Sequence, residues 1–266
     1  MPNQVRDAQG HVKGTAPDRW RTLLVVAISQ LMLVLDSSIM NIAIPRAKVD
    51  LGISDANQQW VITAYTLAFG SLLLLGGRIG DYVGRKKIFI IGLLGFASAS
   101  ALGGIAANQG MLYSSRALQG VFGALLAPAA LAIISETFTV PAERAKAFGV
   151  FGAISGGGAA IGLIVGGTLT QYASWRWCLG VNTPIAIIAS LLAFKFVHES
   201  KAPGDNTYDV PGVITATAGL FSLTYGFNEA ARKGWSDATT ITFFAAAIVL
   251  LIAFIIIEKR VKNPLM

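Results

Sequence analysis

The sequence predicts an all-α membrane protein, and three observations support that prediction. Of the 266 residues, 54% are hydrophobic and 13% are charged, whereas a soluble domain carries about a quarter charged residues. Eight apolar segments are each close to the roughly 20 residues that a helix needs to cross a bilayer. The basic residues concentrate on one side of these segments. Because backbone groups in lipid must bond to one another, segments of this length are expected to be helices.

The eight predicted spans are separated by polar stretches, most of them short. They are residues 22–44, 58–77, 88–107, 111–135, 147–170, 179–197, 210–228 and 240–257. The longest internal connection, 198–209, divides a six-helix bundle at 22–197 from an additional helix pair at 210–257. Since the connections within the bundle are short, we expect consecutive helices to be antiparallel neighbours.

A basic segment between the second and third spans sets the orientation. It carries Arg78, Arg85, Lys86 and Lys87 within ten residues, and short loops rich in Lys and Arg stay in the cytoplasm. With this segment inside, 15 of the 21 Lys and Arg residues fall on the cytoplasmic side and five on the outer side. The sequence therefore predicts a multi-pass protein of the plasma or inner membrane with a cytoplasmic N-terminus.

Both ends of the chain are polar. Residues 1–21 lack the apolar core of a signal peptide and are interpreted as a cytoplasmic N-terminal tail. Residues 258–266 are basic and are interpreted as a truncated cytoplasmic segment of a longer protein.

Composition also excludes several classes of function. The net charge is +7, but the basic residues alternate with apolar spans, which indicates a lipid bilayer and no nucleic acid as partner. The single cysteine, Cys178, excludes an internal disulfide framework and a cysteine-based metal site. No nucleophile–base pair or metal-ligand set is found, so we predict neither an enzyme nor a metal or other cofactor.

Two charged residues lie inside predicted spans. Asp36 lies about 12 Å and Arg116 about 9 Å below the predicted outer surface, at about 1.5 Å per helical residue. An ionised carboxylate at that depth is costly, so Asp36 is expected to be protonated or paired, and a carboxylate with two accessible states suits proton coupling. The alternatives are a structural Asp36 and an Arg116 that extends to the outer surface. Gln119 and Gly120 favour an inward-facing Arg116.

Glycines punctuate two further segments. Gly77, Gly80 and Gly84 lie in the basic segment, where we expect a tight loop. Asp81 in that loop is expected to cap the next helix or to pair with Arg85 or Arg144.

Gly158, Gly162 and Gly166 recur every four residues in the fifth span, with Gly167 beside the last. This spacing predicts a bare helix face against which another backbone packs closely. Static packing and a sliding or hinged face between two conformations are both open.

Several of these segments resemble signature motifs of the major facilitator superfamily, and within it the group of drug:proton antiporters with about fourteen spans. The stretch from Leu35 to Pro45 resembles the first-helix signature, and Arg116 to Gly120 resembles the fourth-helix motif. The Gly158 to Gly167 stretch resembles the fifth-helix antiporter motif, with Leu163 in place of its proline. The basic segment resembles the signature between the second and third helices, through Gly77, Asp81, Gly84, Arg85 and Lys86.

The resemblance implies both a fold and a set of site residues. The fold is a six-helix N-terminal bundle followed by two further transmembrane helices, and the C-terminal half would be missing. Asp36 and Arg116 would serve proton coupling, with Asn41 and Gln119 in the same cavity. The implied function is proton-driven export of small amphipathic compounds, powered by the proton gradient without a cofactor, with the missing half or a second copy of the chain as partner.

Two alternatives remain open at this point. Leu163 in place of the motif's proline leaves an importer or uniporter of another small solute. The missing second bundle leaves a half-length membrane protein that does not transport by itself and needs a partner.

Overall fold

The computed structural model describes residues 16–201 and 209–260. Most of the predicted N-terminal tail, the middle of the 198–209 connection and the last six residues lie outside the described residues. Nine α-helices make up the described part. They are α1 (Ala16–Leu51), α2 (Trp60–Val83), α3 (Arg85–Gly104), α4 (Gln109–Thr137), α5 (Pro141–Tyr172), α6 (Trp175–Gly180), α7 (Asn182–Phe196), α8 (Val210–Lys233) and α9 (Ala238–Glu258).

Seven of the predicted spans correspond to helical segments that are long and apolar enough to cross a membrane. Helices α6 and α7 together form one of them, Trp175–Phe196. The predicted eighth span, 210–228, forms α8, which is not among these seven. The all-α membrane fold is confirmed.

The helices pack mainly against partners that are not adjacent in sequence. Helix α1 packs on α5 and α7, α2 packs on α4, and α3 packs on both α4 and α7. The expectation that consecutive helices are neighbours is therefore right for α3 and α4 but wrong for most other pairs. Helices α8 and α9 pack on each other, and this α8–α9 hairpin contacts the bundle through α2.

Close helix crossings depend on glycine. A Cβ atom on Gly76 of α2 would lie 2.0 Å from the carbonyl oxygen of Ala124, and one on Gly120 of α4 would lie 2.4 Å from that of Tyr65. Real Cβ atoms do not approach backbone this closely, so a side chain at either position would force α2 and α4 apart. These two helices consequently hold a nearly fixed spacing.

The predicted loop at 77–87 is wrong, because these residues are helical on both sides of a single junction residue. Helix α2 continues to Val83, α3 begins at Arg85, and Gly84 between them has φ +125°. Gly77 and Gly80 lie within α2. Each internal helical glycine costs only about 1 kcal/mol, and the charged residues sit at a helix end, so the pattern is compatible with helix.

Two apolar clusters fill the bundle, one toward the end that carries Gly84 and one toward the end that carries Trp175. We call these the Gly84 end and the Trp175 end. Several buried polar residues of α3, α4 and α7 fall in sequence between the two clusters. In α3, for example, Ser100 lies between Ala97 of the first cluster and Ala106, just beyond the helix, of the second. A polar layer therefore separates two dry cores.

Candidate functional site

Asp36 is the centre of the polar layer. Its side chain is fully enclosed and accepts hydrogen bonds at both carboxylate oxygens. Arg116 Nη1 donates to Oδ2 at 2.7 Å, while Gln119 Nε2 and Asn182 Nδ2 donate to Oδ1 at 2.8 and 2.7 Å. The donors come from α4 and α7, so one carboxylate on α1 joins three helices. This is the arrangement that a buried charge requires, since every lone-pair direction facing protein is used.

Arg116 is held from four directions. Besides Asp36, its Nη1 donates to Gln119 Oε1 at 2.7 Å, and its Nε donates to the carbonyl oxygen of Val61 at 3.1 Å. The guanidinium carbon lies 4.6 Å from the centre of the Tyr65 ring, within the range of a cation–π contact. The side chain is 1% exposed. The alternative in which Arg116 extends to the outer surface is therefore wrong.

Two members of the cluster were not expected from the sequence. Asn182 and Ser100 are both completely buried, and Ser100 Oγ accepts from Gln119 Nε2 and from Asn182 Nδ2. The signal that was available is an amide in the apolar stretch that begins α7. A neutral polar residue in a span is common, so this amide does not by itself indicate a buried polar cluster.

The cluster is charge-balanced and sensitive to one proton. The ionised carboxylate of Asp36 is an acceptor at both oxygens, whereas a protonated carboxyl group must donate at one of them. A protonated Asp36 would therefore need a hydrogen-bond acceptor that the ionised form does not need. The side-chain oxygen of Asn182 is buried without a hydrogen-bond partner, so a rotation of that amide would supply the acceptor that a protonated Asp36 needs. The arrangement can therefore exist in two hydrogen-bonded states.

A cavity of about 320 Å³ opens beside this cluster. Uncharged side chains of α1, α2 and α4 line it. They are Gln30, Leu33, Val34, Ser37, Ser38, Tyr65, Phe69 and Ala127. Tyr65 belongs to both places, because its ring lines the cavity and contacts Arg116. The cavity is thus separated from the buried ion pair by one aromatic ring.

The structure does not bring Asn41 into the cluster. Its side chain is exposed and donates to the carbonyl oxygen of Ser37 on its own helix at 2.9 Å. Asn41 lies five residues beyond Asp36, which places it well over a quarter-turn around α1 from that carboxylate. Of the four residues expected together, the structure assembles Asp36, Arg116 and Gln119.

The residues of the basic segment form a second site, which we call the Gly84 junction. Arg85 pairs with Asp81 on the preceding turn, Nη2 to Oδ1 at 2.9 Å, and with Glu136 at the end of α4, Nη1 to Oε1 at 2.7 Å. Asp81 therefore takes the expected partner Arg85. The junction ties the ends of α2, α3 and α4 together near the surface.

Glu199, which follows α7, completes the Gly84 junction. Its carboxylate accepts from the backbone amides of Lys86 and Lys87 at 3.1 and 3.3 Å, which caps the N-terminus of α3. Lys86 Nζ donates to the carbonyl oxygen of Phe194 at 2.8 Å. A Cβ atom on Gly84 would lie 2.6 Å from this carboxylate, so glycine is required here by space as well as by φ.

The glycines of α5 lie on two faces. Cβ atoms on Gly158, Gly162 and Gly166 would meet α1 at 3.1, 2.6 and 3.0 Å, against Val34, Ser38 and Ile39 respectively. Gly167 has nothing within 4 Å of such an atom. Of the four glycines in the predicted motif, the first three serve close packing of α5 on α1, and Gly167 lies outside that contact.

A search of residues 16–201 and 209–260 for His, Cys, Asp and Glu found no group of three or more that could hold a metal ion. The polar layer is instead an ion pair with amide and hydroxyl partners.

Comparison with known proteins identifies relatives over most of the chain. A sequence model of the Major Facilitator Superfamily matches residues 26–260. The puromycin resistance protein of Streptomyces alboniger is 51% identical over 255 residues, which cover 96% of this chain and 50% of that protein. The cephamycin export protein of Amycolatopsis lactamdurans is 37% identical over 240 residues, which cover 90% of this chain and 49% of that protein. The chain spans about half the length of the curated relatives it matches.

Solved structures share the architecture at low sequence identity. A peptide transporter crystallised with sulfate has a TM-score of 0.65 and 16% identity, and the match covers 97% of this chain and 54% of that one. Identity this low shows a common fold alone. The helix packing described above is thus an arrangement that other polytopic proteins also adopt.

Proposed function

The chain belongs to the Major Facilitator Superfamily, and we propose that it forms one half of a proton-coupled exporter of small amphipathic compounds. The observation that carries this proposal is the enclosed Asp36 with its counter-ion Arg116. The names of two relatives, a puromycin resistance protein and a cephamycin export protein, support the direction and the class of cargo. The uncharged, partly aromatic cavity beside the ion pair fits an amphipathic molecule.

Asp36 is the proposed proton carrier. When it is ionised, three donors hold it between α1, α4 and α7. A proton arriving at Asp36 would cancel its charge attraction for Arg116 and would make one oxygen a donor, so the cluster would have to rearrange to provide an acceptor for it. The helices that share this carboxylate would then be free to rearrange.

Tyr65 is the proposed link between proton and cargo. Its ring faces the cavity on one side and the guanidinium of Arg116 on the other. A compound that packs against Tyr65 would displace the ring, and Arg116 would lose its cation–π contact. Occupancy of the cavity would thereby bias the protonation of Asp36 through one intervening side chain.

We also propose the division of labour along the chain. Residues 22–197 would form one bundle, 210–257 an additional pair, and transport would need a second bundle, because alternating access requires two bodies around a central site. The approximately half-length match to relatives supports this. That second bundle would come from a further segment of the protein or from a second copy of the chain.

The proposed orientation has the N-terminus and the Gly84 junction in the cytoplasm of a plasma or inner membrane. Arg78, Arg85, Lys86 and Lys87 cluster at that end, and short basic segments are retained inside. Export would then run from the Gly84 end to the Trp175 end.

Replacement of Asp36 tests the function. Asp36→Asn in the complete protein removes the charge at nearly constant shape, and we expect at least about a tenfold loss of puromycin efflux driven by a pH gradient. The measurement is efflux from preloaded cells with and without a protonophore. Asp55→Asn is the matched control, because this carboxylate is 86% exposed in the α1–α2 connection. Unchanged proton-driven efflux in Asp36→Asn would contradict the proposal.

A further inference from the structure

Helix α2 lies between the Asp36–Arg116 ion pair and the α8–α9 hairpin and contacts both. Val61 and Tyr65, one turn apart, face α4 and hold Arg116 through a carbonyl oxygen and a ring. Thr63 lies between them in sequence and about 200° around the helix from Val61. Its side chain consequently points to the opposite face of α2, toward α8. Residues 61–65 of α2 therefore contact both the Asp36–Arg116 pair and the α8–α9 hairpin.

The hairpin is attached to this face by a specific polar contact. Asn228 Nδ2 on α8 donates to Thr63 Oγ1 at 2.6 Å, and Thr63 is 3% exposed. Trp60 and Tyr225 lie beside it, with ring centres 6.3 Å apart. A hydrogen bond between helices in an apolar setting fixes register and rotation, which apolar packing alone leaves free.

Rotation of α2 would be felt directly at Arg116. The Nε–carbonyl bond to Val61 and the contact with Tyr65 both depend on the angle at which α2 presents these groups. The close crossing of α2 and α4 at Gly120 leaves no room for a side chain between the two helices, so a change in the angle of α2 is transmitted directly to α4. The bond to Asn228 resists such a change from the other side.

We propose that Asn228 is a positioning residue for the Asp36–Arg116 pair, and that it acts through Thr63 and the angle of α2. The α8–α9 hairpin is then part of the coupling machinery and not only a connection between two bundles. This inference rests on the proposed function of Asp36. It adds a residue outside the six-helix bundle, on a helix that contributes no residue to the cavity lining.

Few groups other than Arg116 affect the titration of Asp36. Helix α2 presents the phenol of Tyr65, α3 presents the hydroxyl of Ser100, and α7 presents the amide of Asn182. Among the described residues around Asp36, Arg116 is the charged partner, and Tyr65 is the other titratable one. A change in Arg116 geometry will therefore appear in the protonation of Asp36.

The test measures the protonation of Asp36 by infrared spectroscopy. The full chain in lipid nanodiscs is titrated, and the carboxylic acid C=O band that disappears in Asp36→Asn is followed against pH. Arg116→Lys keeps the charge but loses the planar geometry, so it defines the direction of the shift. We expect Asn228→Ala and Thr63→Val to move the midpoint in that same direction by about half a pH unit.

Two control variants separate positioning from general damage. Thr63→Ser keeps the hydroxyl that accepts from Asn228 and should keep the wild-type midpoint. Thr242→Val removes an exposed threonine hydroxyl of α9 that bonds only within its own helix, and it should also leave the midpoint unchanged. These controls retain meaning even if Asn228→Ala proves unstable.

The outcomes distinguish this inference from the function on which it rests. A midpoint that moves in Arg116→Lys but stays at the wild-type value in Thr63→Val and Asn228→Ala would overturn the positioning role alone. A titrating band that persists in Asp36→Asn would overturn the proposed function of Asp36 and the positioning role with it. A shift in Thr242→Val as large as in Thr63→Val would also overturn the positioning role.

Discussion

The Asp36 cluster and the Gly84 junction both use an arginine to join three helices, but they do so in opposite surroundings. Arg116 and Asp36 have side chains that are 2% and 0% exposed, whereas the partner of Arg85 on α4, Glu136, is 56% exposed. At the Asp36 cluster, each charge depends on the other for its stabilisation. At the Gly84 junction, water can replace a lost partner, so the backbone conformation contributes more to holding the three helix ends together.

The comparison teaches that similar ion pairs can have very different energetic weight. Removing one partner of a buried pair costs about 3–5 kcal/mol, because the other charge is left without solvent. An exposed pair contributes about 0–1 kcal/mol. Removal of the charge at Asp36 is therefore expected to have a far larger effect on stability than removal of the charge at Glu136. Three variants separate the two places, from the largest expected effect to the smallest.

The largest effect is expected for Arg116→Leu at pH 8, which leaves the Asp36 carboxylate buried without its counter-ion. The free energy of unfolding in detergent micelles should fall by about 3–5 kcal/mol. The double variant Asp36→Leu with Arg116→Leu should lose less, since no charge remains. Arg21→Leu, at a side chain that is 56% exposed, is the matched control. A loss below about 1 kcal/mol in Arg116→Leu would show that water reaches the cluster.

An intermediate effect is expected for Gly84→Ala at the junction. A Cβ atom there is strained at φ +125° and displaces the Glu199 carboxylate that caps α3. The expected loss of unfolding free energy is about 1–3 kcal/mol. Gly80→Ala is the matched control, because Gly80 is helical and its nearest neighbour, a methyl group of Ile88, would lie at 3.9 Å. Equal stability of the two variants would refute the role given to backbone shape.

The smallest effect is expected for Glu136→Gln, which removes the exposed partner of Arg85 and leaves Asp81 in place. The loss should stay below about 1 kcal/mol. Raising the salt concentration to about 1 M should abolish the difference from wild type, because the screening length falls to about 3 Å. A salt-independent loss of several kcal/mol would mean that this pair behaves like the buried one.

The sequence revealed the charged half of the Asp36 cluster because charge in an apolar span is conspicuous. Asp36 and Arg116 stood out individually, and Gln119 followed from its helical spacing to Arg116. Ser100 and Asn182 did not, since they arrive from α3 and α7 through contacts between helices that are far apart in sequence. Periodicity within one helix contains no information about which other helix it will meet.

The sequence was misleading at the basic segment. Glycines and charges at 77–87 resemble a loop locally, but a helix end tolerates both, and one residue with positive φ is enough to separate α2 from α3. The prediction failed there because several local preferences were close in energy and packing decided between them.

Under the proposed mechanism, the one carboxylate of the cluster would limit how much work a gradient can supply in each transport cycle. If Asp36 carries one proton per cycle, each 100 mV of electrochemical potential supplies about 2.3 kcal/mol. Since a tenfold concentration ratio corresponds to about 1.4 kcal/mol, that amount would hold a neutral compound at roughly a fortyfold lower concentration inside the cell. Steeper exclusion would then require either a larger potential or another titrating group, so the number of protons carried per cycle would depend on this one side chain.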